Sequence, residues 1–186
     1  MLHSIWATLL SGWIASGGNA PASRPKLVTQ PDVYSIIYPA EPAILPTETR
    51  RTPWGLAYIR STALDMPPAA KANDLYRVLY AAADDRSQAL PASVSLQEAA
   101  ERLDRRMDAV YGQNGQVLYA RPLALPASGP HQGRGEDLLW KDRQGNVAYF
   151  RAYYYRELYV VVMVTATKRT HNRREADKFL ASFKLL

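Results

Sequence analysis

The sequence predicts an α+β domain, an antiparallel β-sheet flanked by helices, and three observations carry that assignment. Val147–Tyr155 and Leu158–Thr165 are β-rich runs joined only by Arg156-Glu157, which is hairpin spacing. Leu96, Ala99, Ala100, Leu103, Met107 and Val110 fall on one apolar stripe at helical period. A third segment, about Arg173 to Phe183, turns Ala176, Phe179, Leu180 and Phe183 to one side of a second helix. Runs of strands separated by single helices argue for α+β over an alternating parallel sheet.

Residues 1–22 are expected to be an export signal. Ile5 to Ala15 is uncharged, mostly apolar and too short to span a bilayer. Ala20-Pro21-Ala22 then supplies a small-x-small cleavage pattern before Ser23, although no Lys or Arg precedes the apolar run. A start further upstream, or a buried N-terminal helix, would explain the same residues. Cleavage would place the protein in the periplasm or outside the cell. Residues 23–32 are polar and proline-rich, a linker in composition, and 33–186 form a single domain.

The elements of that domain follow in order. Val33 to Tyr38 is a β-rich run stopped by Pro39, and the three prolines from Pro39 to Pro46 exclude a central strand. Trp54 to Ile59 and Leu75 to Tyr80 are the next strands, with a Pro-Pro break between them and a polar connection opening at Asp84-Asp85-Arg86. The helix Leu96 to Tyr111 begins at a capping box, Ser95 with Glu98, and stops at Gly112 and Gly115. Val117 to Leu125 carries Pro122, which places it at an edge or a bulge. Glu136 to Lys141 turns through Asp142–Asn146 into Val147–Tyr155. Leu158–Thr165 is apolar on both faces, as a central covered strand is. Thr170 or Asn172 caps the final helix.

The chain has 186 residues, 47% of them hydrophobic and 22% charged, enough for one core without staples. The absence of cysteine excludes disulfides, cysteine-ligated metal centres and thiol nucleophiles. A net charge of +6 favours anionic surfaces without naming a partner. No second long apolar run follows residue 22, so no membrane span is expected in the mature chain.

The last hundred or so residues carry a resemblance. The amphipathic helix, then GQVLYARPLAL, the Gly-rich stretch Gly129–Gly135, the hairpin ending in LYVVVMVTA and the closing EADKFLASFKLL together resemble the PsbP-like α/β/α sandwich. That fold is shared by the photosystem subunit PsbP, a Ran-binding nuclear import factor and bacterial exported proteins. The resemblance implies a fold used for binding other proteins, with no enzymatic activity to carry over. Calcium or manganese binding by plant relatives has no matching carboxylate cluster here and is not transferred.

Catalytic sets are missing from the residues themselves. His131 and His171 lack metal-ligand spacing and fit solvated loops, while His3 leaves with the signal. Gly129–Gly135 lacks the Lys-Ser/Thr of a phosphate loop, and no nucleophile elbow is present. Neighbours Glu136 and Asp137 point to opposite faces of a strand, the wrong geometry for a shared acid–base pair. No catalytic residue, metal or cofactor is therefore expected. The charges of helix 96–111 form i,i+4 pairs on a solvated face and give no specific nucleic-acid patch.

Two binding candidates stand out. One is the row Tyr149, Arg151, Tyr153 and Tyr155, residue types enriched at interface hot spots, which a covering helix would instead turn into core. The other is Lys168 to Lys178, net +3, in which Lys168, Arg169, Arg173 and Arg174 crowd a helix N-terminus where the dipole disfavours cations. The expected function is that of a non-enzymatic exported accessory domain with an unidentified protein partner. A small-ligand or anionic-polymer binding protein using the same residues is the alternative.

Overall fold

The computed structural model describes residues 24–31, 33–52, 55–67, 72–83, 115–123, 133–155 and 158–186. The signal-like segment 1–22, the predicted helix 96–111, the Asp84-Asp85-Arg86 connection, and residues His3, Trp54 and His131 lie outside the described residues. Within them, eleven strands and one helix are formed. The strands are β1 (Lys26–Gln30), β2 (Tyr34–Tyr38), β3 (Ala43–Ile44), β4 (Glu48–Thr52), β5 (Gly55–Asp65) and β6 (Leu75–Ala83). The second half holds β7 (Gly115–Leu123), β8 (Gly133–Asp142), β9 (Val147–Tyr155), β10 (Leu158–Ala166), α1 (Arg173–Ser182) and β11 (Lys184–Leu185).

The large sheet runs β3-β5-β6-β10-β9-β8-β7, with β4 beside β3 on the same edge of β5, and every pairing is antiparallel. A smaller sheet, β1-β2-β11, packs with α1 on one face of it. The structure is thus mostly antiparallel sheet with one short helix. Helices on both faces, as the sequence predicts, are not seen among the described residues. The composition-based linker 23–32 contains β1, which pairs residue for residue with β2. Leu27 and Val28 supply branched side chains that the surrounding Pro, Ser and Gln obscure in a composition average. Similarly, the Gly-rich stretch ends inside β8, where Gly135 is buried beside Leu123.

Alternation sorts the sheet into two apolar faces. On the covered face Tyr76, Val78, Val160, Val162 and Val164 meet Tyr34, Ile36 and Tyr38 of β2 and Ala176, Phe179 and Leu180 of α1. On the other, Leu79, Leu138, Trp140, Phe150, Val161 and Met163 form a second cluster. β10 contributes to both, which is why its sequence is apolar without alternation. Gly115 sits against the Trp140 indole so closely that any β-carbon would collide with it. Gly145 takes the left-handed conformation (φ 92°) that closes the β8–β9 turn.

One hydroxyl ties the two sheets together. Thr62 of β5 and Val78 of β6 are directly opposed, and the Tyr38 hydroxyl enters between them. It donates to the Thr62 carbonyl at 2.9 Å and accepts from the Val78 N–H at 3.1 Å. With its proton so placed, Thr62 Oγ1 is the donor in the 2.6 Å contact to the same oxygen. Burial pushes the phenol far above its usual range. Edge-on contacts of Phe179 with Tyr38 and Tyr76, centroids 5.0 and 5.1 Å apart, seat α1 on this tie.

Tyr38→Phe keeps the ring but strips the Val78 N–H and Thr62 carbonyl of their buried partner. It is expected to cost about 1–3 kcal/mol, read as a lower urea midpoint with an unchanged slope. A loss below about 0.5 kcal/mol, the range of an ordinary surface change, would contradict the bridging role.

Candidate partner-binding face

The basic segment is seated by buried polar side chains that come from the β5–β6 connection. Asn73 is fully buried; its Oδ1 accepts from Asn172 N at 2.9 Å, and its Nδ2 donates to the Asn172 carbonyl and the Tyr76 hydroxyl. Asp74 Oδ2 accepts from Thr167 N at 2.6 Å. The intervening turn closes on itself through Thr170 N to Thr167 O, His171 N to Thr167 O, and the paired Thr167 and Thr170 hydroxyls. Asn172 is the helix cap, its Oδ1 accepting from Glu175 N, while Thr170 serves the turn.

This seat presents Lys168, Arg169, Arg173 and Arg174 to solvent. The dipole conflict predicted for Arg173 and Arg174 is eased by acid in the same helix. Arg173 Nε lies 3.4 Å from Asp177, and Lys178 pairs with Glu175 at 2.7 Å. All four groups are substantially exposed, so each pair contributes only a few tenths of a kcal/mol. The helix is therefore held by its packed face and its cap, leaving the cations as surface charge.

The tyrosine row divides. Tyr149 and Tyr153 are 4% and 5% exposed beneath the helical layer, Tyr153 stacking on Phe183 at 4.5 Å. These rings are core, and a surface contact through them is not what the geometry offers. Tyr155 is the last residue of β9, opposite Gly133 and Leu158. Arg151 is the member that reaches partly into solvent, its side chain 23% exposed.

Sequence reasoning missed the partners of Arg151. Asp137 of β8, nearly buried, stands between Arg151 of β9 and Arg121 of β7, its directly opposed residues on both neighbouring strands. Arg121 donates Nε (2.9 Å) and Nη2 (2.6 Å) to Asp137 Oδ2. Arg151 donates Nε to Oδ1 at 3.1 Å and Nη1 to the Leu180 carbonyl at 3.0 Å, so the same cluster also caps the last turn of α1. Arg121 remains 64% exposed and lies over the Tyr119 ring, 4.9 Å from its centroid. Its hydrogen bonds and ionic contact with Asp137 raise its pKa further, so it stays a cation throughout.

Around His171 the nearby cations outweigh the acid. His171 Nε2 is 2.8 Å from the Tyr149 hydroxyl, so this histidine is tied to the sheet rather than simply solvated. Its pKa is lowered by partial burial first, then by the charges of Lys141 and Arg173, with Asp177 opposing. The directly opposed rows Tyr119–Leu139–Tyr149 and Arg121–Asp137–Arg151 lie on the same face of the sheet, and Tyr149 meets His171 of the basic turn.

No family model matches the chain, and no curated protein matches it. Among solved structures, it is similar to the solution structure of cyanobacterial PsbP (CyanoP) from Synechocystis sp. PCC 6803. The TM-score is 0.50 at 11% identity, over 92% of this chain and 98% of that one. The chain has a PsbP-like fold. At this identity the likeness concerns the fold alone. No helix among the described residues is long and apolar enough to cross a membrane, and none of their acidic or histidine side chains group as a metal site.

His171 is expected to titrate below 6.5 in an NMR pH series, and Arg173→Ala to move its midpoint upward. Because the unfolded chain binds that proton first, the group contributes stability above pH 6.5 that is lost as pH falls through the folded midpoint. A midpoint at or above 6.5 in the native chain would contradict the positive field.

Proposed function

We propose that the chain is an exported, non-enzymatic accessory domain that binds another protein through its basic face. In this reading residues 1–22 are the cleaved signal, and the PsbP-like domain begins with β1. The observation that carries the proposal is the rigid seating of exposed cations. Asn73 and Asp74 fix the turn whose side chains Lys168, Arg169, Arg173 and Arg174 face solvent. A surface whose backbone is already ordered loses little further freedom on docking. Positive potential concentrated there speeds encounter with an acidic partner and selects against basic ones.

The test is site-specific photocrosslinking in the native host. A photoreactive residue replacing Arg174 is expected to give one discrete protein adduct in the envelope or extracellular fraction. The same residue replacing Leu27, exposed in β1 of the small sheet, is expected to give none. Absence of an adduct from position 174, or substrate turnover by the purified chain that a point mutation abolishes, would overturn the proposal. Tight heparin retention that falls steeply with salt and needs Arg173 and Arg174 would transfer the site to an anionic polymer.

A further inference from the structure

We infer that Arg121 and Arg151, held on Asp137 beside Tyr119, form a binding site for a side-chain carboxylate of an extended acidic peptide segment. The inference rests on the protein-binding reading above and names the chemistry of its anchor.

The donor geometry comes first. Each guanidinium is fixed by its Nε on a different oxygen of Asp137, and Arg151 is fixed a second time on the Leu180 carbonyl. Arg151 also hydrogen-bonds the Tyr153 phenol, while Arg121, 64% exposed, is the guanidinium open to a ligand from solvent. A planar fork held in place matches a carboxylate better than a flexible ammonium does. Neither arginine has to be ordered when the ligand arrives, because Asp137 and the Tyr119 ring have already done so.

The balance of charge indicates which anion fits. Two arginines against one aspartate leave one net positive charge, a match for one monoanionic group. Along the same face, Arg173 is accompanied by Asp177. A uniformly dense polyanion would meet both acids, whereas a peptide can space its carboxylates to meet the cations and set neutral residues against the acids. The Tyr119 ring offers the apolar surface that the methylenes of a glutamate require. Exposure is also right. Arg121 is accessible, and Arg151 is half-sheltered at the inner end of the site, as an anchor inside a dry rim would be.

Edge pairing of the peptide with β7 is not part of the inference. A bulge between Val117 and Tyr119, together with Pro122, interrupts the run of backbone groups that an added strand would need.

The experiment measures fluorescence anisotropy of a labelled Glu-Ser-Glu-Ser-Glu-Ser peptide with the full chain at low salt, against a labelled heparin hexasaccharide. Arg121→Ala is expected to weaken peptide binding on the order of tenfold. Arg121→Lys should recover only part of that, since it restores charge without the fork, and Arg174→Ala should weaken binding less than Arg121→Ala. The Arg121 variants are expected to fold, because Asp137 keeps Arg151 as its partner. Should Arg121→Ala lose the native circular dichroism spectrum, Arg121→Lys carries the test, with a severalfold loss expected. Wild-type affinity in the Arg121 variants, tighter binding of heparin than of peptide, or no binding of either probe would overturn the site. A crosslink from position 174 that persists in Arg121→Ala would leave the protein-binding reading standing and remove this anchor.

Discussion

The hydroxyl of Tyr38 is the constraint on which the architecture turns. It lies between two directly opposed strand residues and satisfies a carbonyl on one and an amide on the other, so the large sheet is complete only when β2 is docked. β2 in turn carries β1 and β11, and its Tyr38 ring receives Phe179 of α1. A non-directional apolar contact would allow the small sheet to slide. A buried hydroxyl with one donor and two acceptor contacts does not, because any shift leaves polar backbone groups without partners. The position of α1, and therefore of everything it carries, follows from that tie.

Two further polar links fix the ends of the helix. Asn73 and the Asn172 cap hold its N-terminus against the sheet, while Arg151 reaches the Leu180 carbonyl near its C-terminus. Both links are partly or fully buried, and they rank above the exposed Arg173–Asp177 and Lys178–Glu175 pairs in setting the geometry. The division of labour explains how a helix of ten residues can carry exposed cations at its start. Stability comes from packing and caps, and the cations remain as surface charge.

Much of this was legible in the sequence. β9 runs over the residues its composition marks, and the apolar-on-both-faces run of β10 lies in the middle of the large sheet. Asn172 caps α1 as its side chain allows. The site was legible in part. Counting outward from the Asp142–Asn146 turn, with Lys141 opposite Val147, puts Asp137 opposite Arg151, so that pair could have been found from register alone. Arg121 could not. The bulge at Val117/Tyr119 shifts the pairing of β7, and no short turn joins it to β8 to fix a count. The tyrosine row misled for a different reason. Alternation assigns Tyr149 and Tyr153 to a common face but does not say that α1 and Phe183 cover it. The short strands β3 and β4 rest on pairing with β5, a long-range contact that local propensity does not report.

Taken together, the buried ties hold two groups of cations on one side of the molecule, and the interaction proposed for this PsbP-like domain depends on that side being the docking face. The most direct measurement is a map of backbone and arginine side-chain NMR shifts during titration with an acidic peptide. Perturbations are expected at Tyr119, the Nε resonances of Arg121 and Arg151, His171 and the amides of residues 168–174. Leu27 and Ile37, exposed on the small sheet, should stay unchanged. Shifts confined to Leu27 and Ile37, or an unperturbed spectrum at saturating peptide, would contradict the central claim.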